Sequence, residues 1–280
     1  MSKVDLVLEE RVHKQIEESQ KLKSNGKLLE ALECLENYSS SLGSLSFGVF
    51  LKVALEVASL CNKLHLHFGN QVTFLQKAEK VLNSCIAQKE KPKWSCHTSI
   101  LKYLLLTYNN WATFHQNNSN FHKALGYLTK ALKLINPKRR FKNDMLQLIA
   151  KTKLNVSSIF LQLNRINEAV GYAEQSLVTL QTELKRRVAK TDYWSMKTKD
   201  KVKFKVMIRS FVVAFYNIGI AEEVSENLPK MLEAYQNAVM VGDQFLSQSD
   251  NVLELARKAL EEANLIAINS QYFNSETSTE

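Results

Sequence analysis

The sequence contains few of the residues that interrupt helices. Only 8 glycines and 3 prolines occur among its 280 residues, and the glycines are isolated from one another. Leu, Ala, Glu, Lys and Gln dominate long stretches, a composition that favours helix and leaves few turn signals for a β fold. Pro92, Pro137 and Pro229 stand where a helix could begin or end. We therefore expect an all-α protein.

The sequence also lacks the motifs of common catalytic and metal sites. It has no glycine-rich phosphate loop, nucleophile elbow, HExxH motif or CxxC pair. Four scattered cysteines argue against a disulfide framework and a cysteine-built zinc site. Cys61 and His65 stand four residues apart, but no second pair completes a tetrahedral site. We expect no enzyme, no cofactor, no metal and no small-molecule substrate.

No long uncharged apolar run is present. The most apolar window, Phe47 to Cys61, contains Lys52 and Glu56. These two charges leave no uncharged run as long as the roughly 18 to 20 residues that a membrane span needs. The first residues carry acidic side chains and no apolar signal-peptide core. We expect a cytoplasmic protein without a transmembrane segment and with reduced cysteines.

Apolar residues recur with the helical period of about 3.6 residues along the whole chain. Short polar breaks separate the periodic stretches, at Ser24–Gly26, Ser40–Gly43, Gly69–Asn70, Asn117–Asn120, Asn164–Arg165 and Ser225–Asn227. Helices joined by such short connections pack as antiparallel neighbours. The pattern predicts about eleven helices arranged in antiparallel pairs.

Three segments, at about residues 105–137, 150–182 and 212–245, are similar to one another. The clearest has the aromatic Phe121 at its turn and small residues at helix-packing positions of its second helix. Small side chains let two helices approach while large neighbours fill the gaps. The residues predicted to pack in this way are Ala124, Ala131, Ala169 and Ala238. These segments resemble the tetratricopeptide repeat (TPR) motif.

The resemblance implies an α-solenoid, a right-handed superhelix of antiparallel helix pairs with a C-terminal capping helix. It implies one domain over residues 1–272. The polar residues 273–280 predict a flexible C-terminal tail. The equivalent Ala124 and Ala169 stand 45 residues apart, more than the TPR period of about 34. Long helices or extra connections must therefore be present, above all where Leu180 to Val206 is inserted, either as one long helix or as a mobile loop. The basic part of this insertion covers about residues 183–209.

Three asparagines, Asn110, Asn155 and Asn217, occupy one motif position in the first helices of the three copies. In the TPR family first helices line the concave surface, where an asparagine column resembles a ladder that holds the backbone of an extended peptide. An amide side chain offers both a donor and an acceptor for such bonds. In the other interpretation, each amide bonds only to the neighbouring helix.

Nearly all of the net charge of +9 lies in one stretch. Residues 185–209 hold ten basic and two acidic residues, whereas residues 221–280 have a net charge of −8. We predict that the basic insertion binds an acidic partner through Lys185, Arg186, Arg187, Lys197, Lys199, Lys201, Lys203 and Lys205. Tyr193, Trp194 and Phe204 could stack or anchor there. The alternative is an ordinary solvated helix face.

The expected function is that of a protein-binding scaffold. The third copy, with Tyr216–Gly219 followed by Glu222 and Glu223, is similar to units in TPR proteins of ciliary axonemes in protists. The resemblance implies a structural role in an axoneme or another microtubule-based assembly, with tubulin tails or axonemal proteins as partners.

Two alternative functions stay open. One is a peripheral membrane or vesicle-trafficking adaptor, similar to the vesicle-fusion attachment proteins. The other is a helical-repeat nucleic-acid binder, which no base-reading motif supports.

Overall fold

Eleven α helices account for nearly all of the part of the chain that the structure describes. The computed structural model describes residues 3–39, 45–69, 71–87, 94–135, 141, 143–188 and 193–276. Within these ranges there is no β-strand, and a short 3-10 helix lies at Tyr193–Ser195. The α helices are α1 (Lys3–Ser24), α2 (Leu28–Ser39), α3 (Phe47–His67), α4 (Val72–Ile86), α5 (Trp94–Asn117), α6 (Phe121–Lys133), α7 (Asn143–Gln162), α8 (Ile166–Val188), α9 (Thr198–Val224), α10 (Leu228–Phe245) and α11 (Asn251–Glu276). The all-α prediction is confirmed.

The chain divides into two compact units, and each is described by itself. Unit 1 comprises Met1–Ser119 with Thr129–Leu134, and unit 2 comprises Asn120–Leu128 with Ile135–Glu280. Unit 1 therefore contains α1 to α5, and unit 2 contains α7 to α11. Helix α6 contributes residues to both. A single domain over residues 1–272 stays a prediction.

Within each unit the helices pack in neighbouring pairs. Each of α1 to α4 contacts the helix that follows it, and so does each of α7 to α10. Odd-numbered helices also contact one another, α1 with α3 and α3 with α5 in unit 1, and α7 with α9 and α9 with α11 in unit 2. This arrangement is consistent with a helical repeat, in which each helix pair buries its apolar face against the next pair.

Each turn inside a helix pair contains one residue with left-handed backbone. These residues are Gly26 (φ 81°), Gly69 (φ 66°), Ser119 (φ 57°), Asn164 (φ 55°) and Glu226 (φ 56°). All five lie in polar breaks that the sequence predicted. The sixth predicted break, residues 40–43, lies outside the described residues.

Three of these turns close with the same hydrogen bond. The backbone amides of Lys27, Arg165 and Asn227 each donate to the carbonyl oxygen five residues earlier, at 3.0, 2.8 and 2.9 Å. A left-handed residue ends a helix in this way because it turns the following amide back onto carbonyls of the last turn. Turns of one geometry therefore recur along the chain.

Small residues occupy the tightest contacts between helices. The four alanines predicted to pack there, Ala124, Ala131, Ala169 and Ala238, are fully buried. Helices α9 and α10 come close at Gly219, where an added Cβ would lie 2.2 Å from Cε1 of Tyr235. The ring of Tyr235 thus fills the space that a side chain at position 219 would need.

The predicted insertion at residues 183–209 is mostly helical. Helix α8 continues to Val188, residues 189–192 lie outside the described ranges, and α9 begins at Thr198. The insertion therefore lengthens two helices rather than forming one long loop. With 27 residues, α9 is about 40 Å long.

The C-terminal helix extends further than predicted. Helix α11 ends at Glu276, so residues 273–276 are helical, and residues 277–280 lie outside the described part. A flexible tail over 273–280 stays a prediction. No glycine or proline follows Asn251, so the composition contains no strong helix-ending residue. The side chains of Leu265 and Ile268 are 61% and 49% exposed. The outer face of α11 is therefore not uniformly polar.

Replacing Gly219 with alanine is expected to destabilise the protein. The added methyl group would overlap the Tyr235 ring, which should lower the free energy of unfolding by about 1 to 3 kcal/mol. Gly171 of α8 has no atom within 4 Å of an added Cβ. Gly171→Ala is therefore the matched control and should raise stability by about 0.5 to 1 kcal/mol. Urea denaturation followed by circular dichroism measures both, and equal midpoints would contradict this packing.

Candidate interaction surfaces

Asn110 lies on α5 in unit 1 and bonds across to α3. Its Nδ2 donates to Oδ1 of Asn62 at 2.8 Å, and Nδ2 of Asn62 donates to Oγ1 of Thr107 at 2.9 Å. All three side chains are buried, and Asn110 is only 7% exposed. A polar network therefore joins two helices that begin successive pairs.

Asn217 makes a comparable bond in unit 2, between α9 and α7. Its Nδ2 donates to Oγ of Ser157 at 3.3 Å, and both residues are buried. Asn155 lies on α7 and is half-buried. The bonds of Asn110 and Asn217 favour the interpretation in which these amides pair with the neighbouring helix.

Sequence reasoning missed the partners of these amides. Asn62, Thr107 and Ser157 are buried polar residues on helices whose buried faces are mainly apolar. A polar residue in such a position needs a hydrogen-bonding partner when it is buried. That signal could have shown that the asparagines face neighbouring helices.

The variant Asn110→Ala should lower the free energy of unfolding by about 1 to 3 kcal/mol, because Oδ1 of Asn62 would lose its buried donor. Asn118 is exposed and bonds only within its own turn, through Nδ2 to the carbonyl oxygen of Phe114. Asn118→Ala is therefore the control and should change stability by less than about 0.5 kcal/mol. Thermal denaturation compares the two. Wild-type stability of Asn110→Ala together with loss of a bound peptide would favour the peptide-ladder interpretation instead.

The basic residues of the predicted insertion lie at one end of unit 2. Three of them end α8, and five lysines surround the start of α9. Nη1 of Arg186 donates to the carbonyl oxygen of Phe141, just before α7, at 3.4 Å. Gln147 of α7 donates through Nε2 to the carbonyl oxygen of Lys203 in α9 at 3.2 Å. These bonds hold the ends of α7, α8 and α9 together.

The predicted basic residues differ in exposure. Lys201 and Lys203 are half-buried, and Nζ of Lys201 lies 5.7 Å from the centre of the Tyr193 ring. The exposed ones are Lys185, Arg186, Lys197, Lys199 and Lys205. We call these five residues, with the exposed Trp194, Val202 and Val206, the basic surface.

Arg187 does not belong to the basic surface, because it pairs with Glu183. Its Nε lies 2.6 Å from Oε1 of Glu183, whose side chain is fully buried, and the Arg187 side chain is only 11% exposed. A buried carboxylate needs a partner charge. The structure therefore gives Arg187 a structural role instead of the predicted contact with an acidic partner.

The variant Arg187→Met should destabilise the protein strongly, because it leaves the Glu183 carboxylate buried without its partner. The expected loss is about 3 to 5 kcal/mol in the free energy of unfolding. Lys185→Met removes an exposed charge two residues away and serves as the control, with an effect within about 0.5 kcal/mol. Urea denaturation measures both. A wild-type midpoint for Arg187→Met would show that the pair is not structural.

Of the three aromatic residues predicted to stack or anchor, only Trp194 is exposed, at 75%. Phe204 is buried, and its ring centre lies 5.0 Å from that of Tyr193 and 5.1 Å from that of Phe245. Tyr193 and Phe245 are also in ring contact, at 5.3 Å. This cluster packs the 3-10 helix against α9 and α10. The exposed Trp194 therefore lies next to a residue, Tyr193, that is held in place by ring contacts.

Charges on α9 are placed against the dipole of the helix. Lys199 and Lys201 stand in its first turn, together with one acidic residue, and Glu222 and Glu223 stand in its last turn. A helix dipole favours the reverse placement, by about 0.3 to 1 kcal/mol for each exposed charge. Helix stability therefore does not explain this distribution of charge.

Among the described residues, α9 is the one helix long and apolar enough to cross a membrane by length and composition. Half of its most apolar stretch is buried inside unit 2. Core helices that never enter a membrane share this composition, so it is weak support for a span. The absence of a transmembrane segment stays a prediction.

Within the described ranges, no group of three or more His, Cys, Asp and Glu residues is placed to hold a metal ion. Burial raises the pKa of Cys61 and of Cys85 to about 12, so both thiols stay protonated. Nδ1 of the buried His65 lies 3.1 Å from the carbonyl oxygen of Gln71. These side chains have packing roles in unit 1.

Comparisons with known proteins give no match, either to a protein-family model or, at a significant level, to a curated protein. Membership of the TPR family therefore stays a prediction, which rests on the repeated residues and on the pairing of the helices.

Proposed function

We propose that this chain is a non-enzymatic scaffold that binds an acidic segment of a partner protein through the basic surface of unit 2. The observation that carries the proposal is the group of five exposed cations at the end of α8 and around the start of α9. Two of them, Lys197 and Lys199, stand where the dipole of α9 disfavours positive charge. Such a cluster attracts acidic segments and speeds their association. Trp194, exposed beside it, supplies an apolar anchor of the kind found at interface hot spots.

The architecture we propose is TPR-like, with helix pairs forming a right-handed superhelix and α11 as the cap. Contacts between odd-numbered helices within each unit support it. In such a superhelix the first helices line a concave face, where an extended peptide would lie. Burial of Asn110 and Asn217 favours peptide contacts through other side chains on that face.

The proposed setting is a microtubule-based assembly such as a ciliary axoneme, in the cytoplasm or cilium. Tubulin tails and acidic axonemal proteins have the charge that the basic surface would select. The resemblance of the third repeat to axonemal TPR units supports this setting.

A membrane adaptor is the second candidate, because Val202 and Val206 are 59% and 48% exposed between lysines. Interfacial helices combine a basic face with a wide apolar face that enters the lipid. Here two valines and Trp194 are the apolar members beside five cations. This narrow apolar strip favours a protein partner over a lipid surface.

The test is a charge reversal, Lys185, Lys197, Lys199 and Lys205→Glu, with a fluorescent glutamate-rich peptide as the probe. Fluorescence anisotropy at low and physiological salt should show binding by wild type and at least about tenfold weaker binding by the variant. The variant should stay folded, since all four lysines are exposed and glutamate near the start of α9 suits the helix dipole. The matched control reverses four exposed lysines of unit 1, Lys14, Lys52, Lys63 and Lys80.

Equal losses of peptide binding in the variant and the control would show a general charge effect and contradict the proposal.

Two other probes test the alternative functions. Stronger binding to phosphatidylserine vesicles than to the peptide, lost on reversal, would identify a membrane adaptor. Stronger binding to single-stranded RNA, falling steeply with salt, would identify a nucleic-acid binder.

A further inference from the structure

A cleft near the other end of α9 is not part of the basic surface. The end of α9, the start of α10 and the middle of α11 enclose about 250 Å³ there. Its lining residues are Glu223, Glu226, Asn227, Leu228, Met231 and Ile266. A smaller adjoining cavity of about 80 Å³ shares Glu223, Met231 and Ile266 with it. The two form one recess within unit 2.

The floor of the cleft is apolar and well packed. Met231 and Tyr235 of α10 and Ala263 of α11 are buried together, and Leu228 packs against them. Ile266, at the edge, is 45% exposed although it lies on the helix that ends the stack of unit 2. The cleft therefore offers a preformed apolar surface that is open to solvent.

The rim of the cleft is acidic. Glu223, Glu226 and Glu262 are exposed around it. Burial, and then the charges of Glu223 and Glu262, raise the pKa of Tyr216 beside the recess. Negative potential therefore reaches the interior of the recess as well as its rim.

The neighbouring contacts offset this charge only weakly. Nζ of Lys258 lies 3.9 Å from Oε1 of Glu262, an exposed pair of the kind that contributes little. Glu223 accepts a hydrogen bond at 2.9 Å from the hydroxyl of Tyr235, which is a neutral donor. Glu222 and Glu223 also stand in the last turn of α9, where the helix dipole disfavours them. The negative charge of the rim is therefore only partly compensated within unit 2 and would attract a cation from a binding partner.

The size of the recess limits what it can hold. Small-molecule sites usually have volumes of roughly 300 to 1,000 Å³, and the recess, with parts of about 250 and 80 Å³, lies at the lower end of that range. A single long side chain fits it better than a metabolite does. The side chain must carry a positive charge for the rim and methylene groups for the floor.

We propose that this cleft binds an arginine side chain presented by a partner protein. A guanidinium bonds carboxylates through paired donors and is more weakly hydrated than an ammonium, so it is the cation best suited to a partly apolar site. Its methylene stem would pack on Met231 and Ile266. The site is independent of the basic surface, because it selects the opposite charge and lies at the other end of α9.

The test is an NMR titration of the full chain labelled at its isoleucine and methionine methyl groups. The probe is an end-blocked Leu-Arg-Leu peptide, and its control is the same peptide with neutral citrulline in place of arginine. The arginine peptide should shift the methyl signals of Met231 and Ile266, with a dissociation constant of order 1 mM. Citrulline should weaken binding by about tenfold or more, because it loses the charge-assisted bonds.

Two double variants locate the effect. Glu226→Gln with Glu262→Gln should remove the shifts, and Glu254→Gln with Glu261→Gln, which neutralises two exposed carboxylates of α11 outside the cleft, should leave them unchanged. Equal shifts with both peptides, shifts that survive in the first variant, or no shift at millimolar peptide would each overturn the proposal.

Sedimentation of the unbound protein tests a different occupant. A single species at all concentrations is expected. Self-association that Glu226→Gln with Glu262→Gln abolishes would instead assign the cleft to a second copy of the chain and overturn the proposed occupant.

Discussion

An amphipathic helix pair cannot bury its own apolar face, and the rest of the structure depends on that constraint. Each pair must pack on the next, so odd-numbered helices contact one another in both units. Small residues allow neighbouring helices to approach closely, and buried hydrogen bonds join them. Ala169 and Gly219 admit neighbouring helices, while Asn110 and Asn217 each bond across to an earlier odd-numbered helix. Hydrogen bonds between packed helices therefore explain why Asn110 and Asn217 are polar, without a bound peptide.

The long helix α9 links this packing to the proposed interactions. Its middle is core, with Phe211, Val212 and Ala214 buried among neighbouring helices, while its two ends carry opposite charges. The buried middle holds both ends in fixed positions, so the basic surface and the acidic cleft are presented by one rigid element. Charge that costs stability often marks a functional site, and the charge at both ends of α9 opposes the helix dipole.

Much of the fold followed from the sequence, because helix periodicity and turn residues are local properties. Gly26 and Asn164 are residue types that favour left-handed backbone, whereas Glu226 adopts the same conformation without favouring it. The candidate site was less predictable. Arg187 and Phe204 belong to a basic and aromatic stretch, but helix rotation and neighbouring helices turn them inward to Glu183 and Tyr193. Composition locates charge along a chain, and only packing decides which charges face solvent.

The most direct test of the account is hydrogen–deuterium exchange of the full chain with and without the glutamate-rich peptide, read by mass spectrometry. Bound peptide should slow exchange in the last turns of α8, in the 3-10 helix and in the first turns of α9. Exchange in α3 and α5, around Asn62 and Asn110, should not change. Protection centred on α3 and α5, with none near Trp194, would contradict the assignment of the interface to the basic surface.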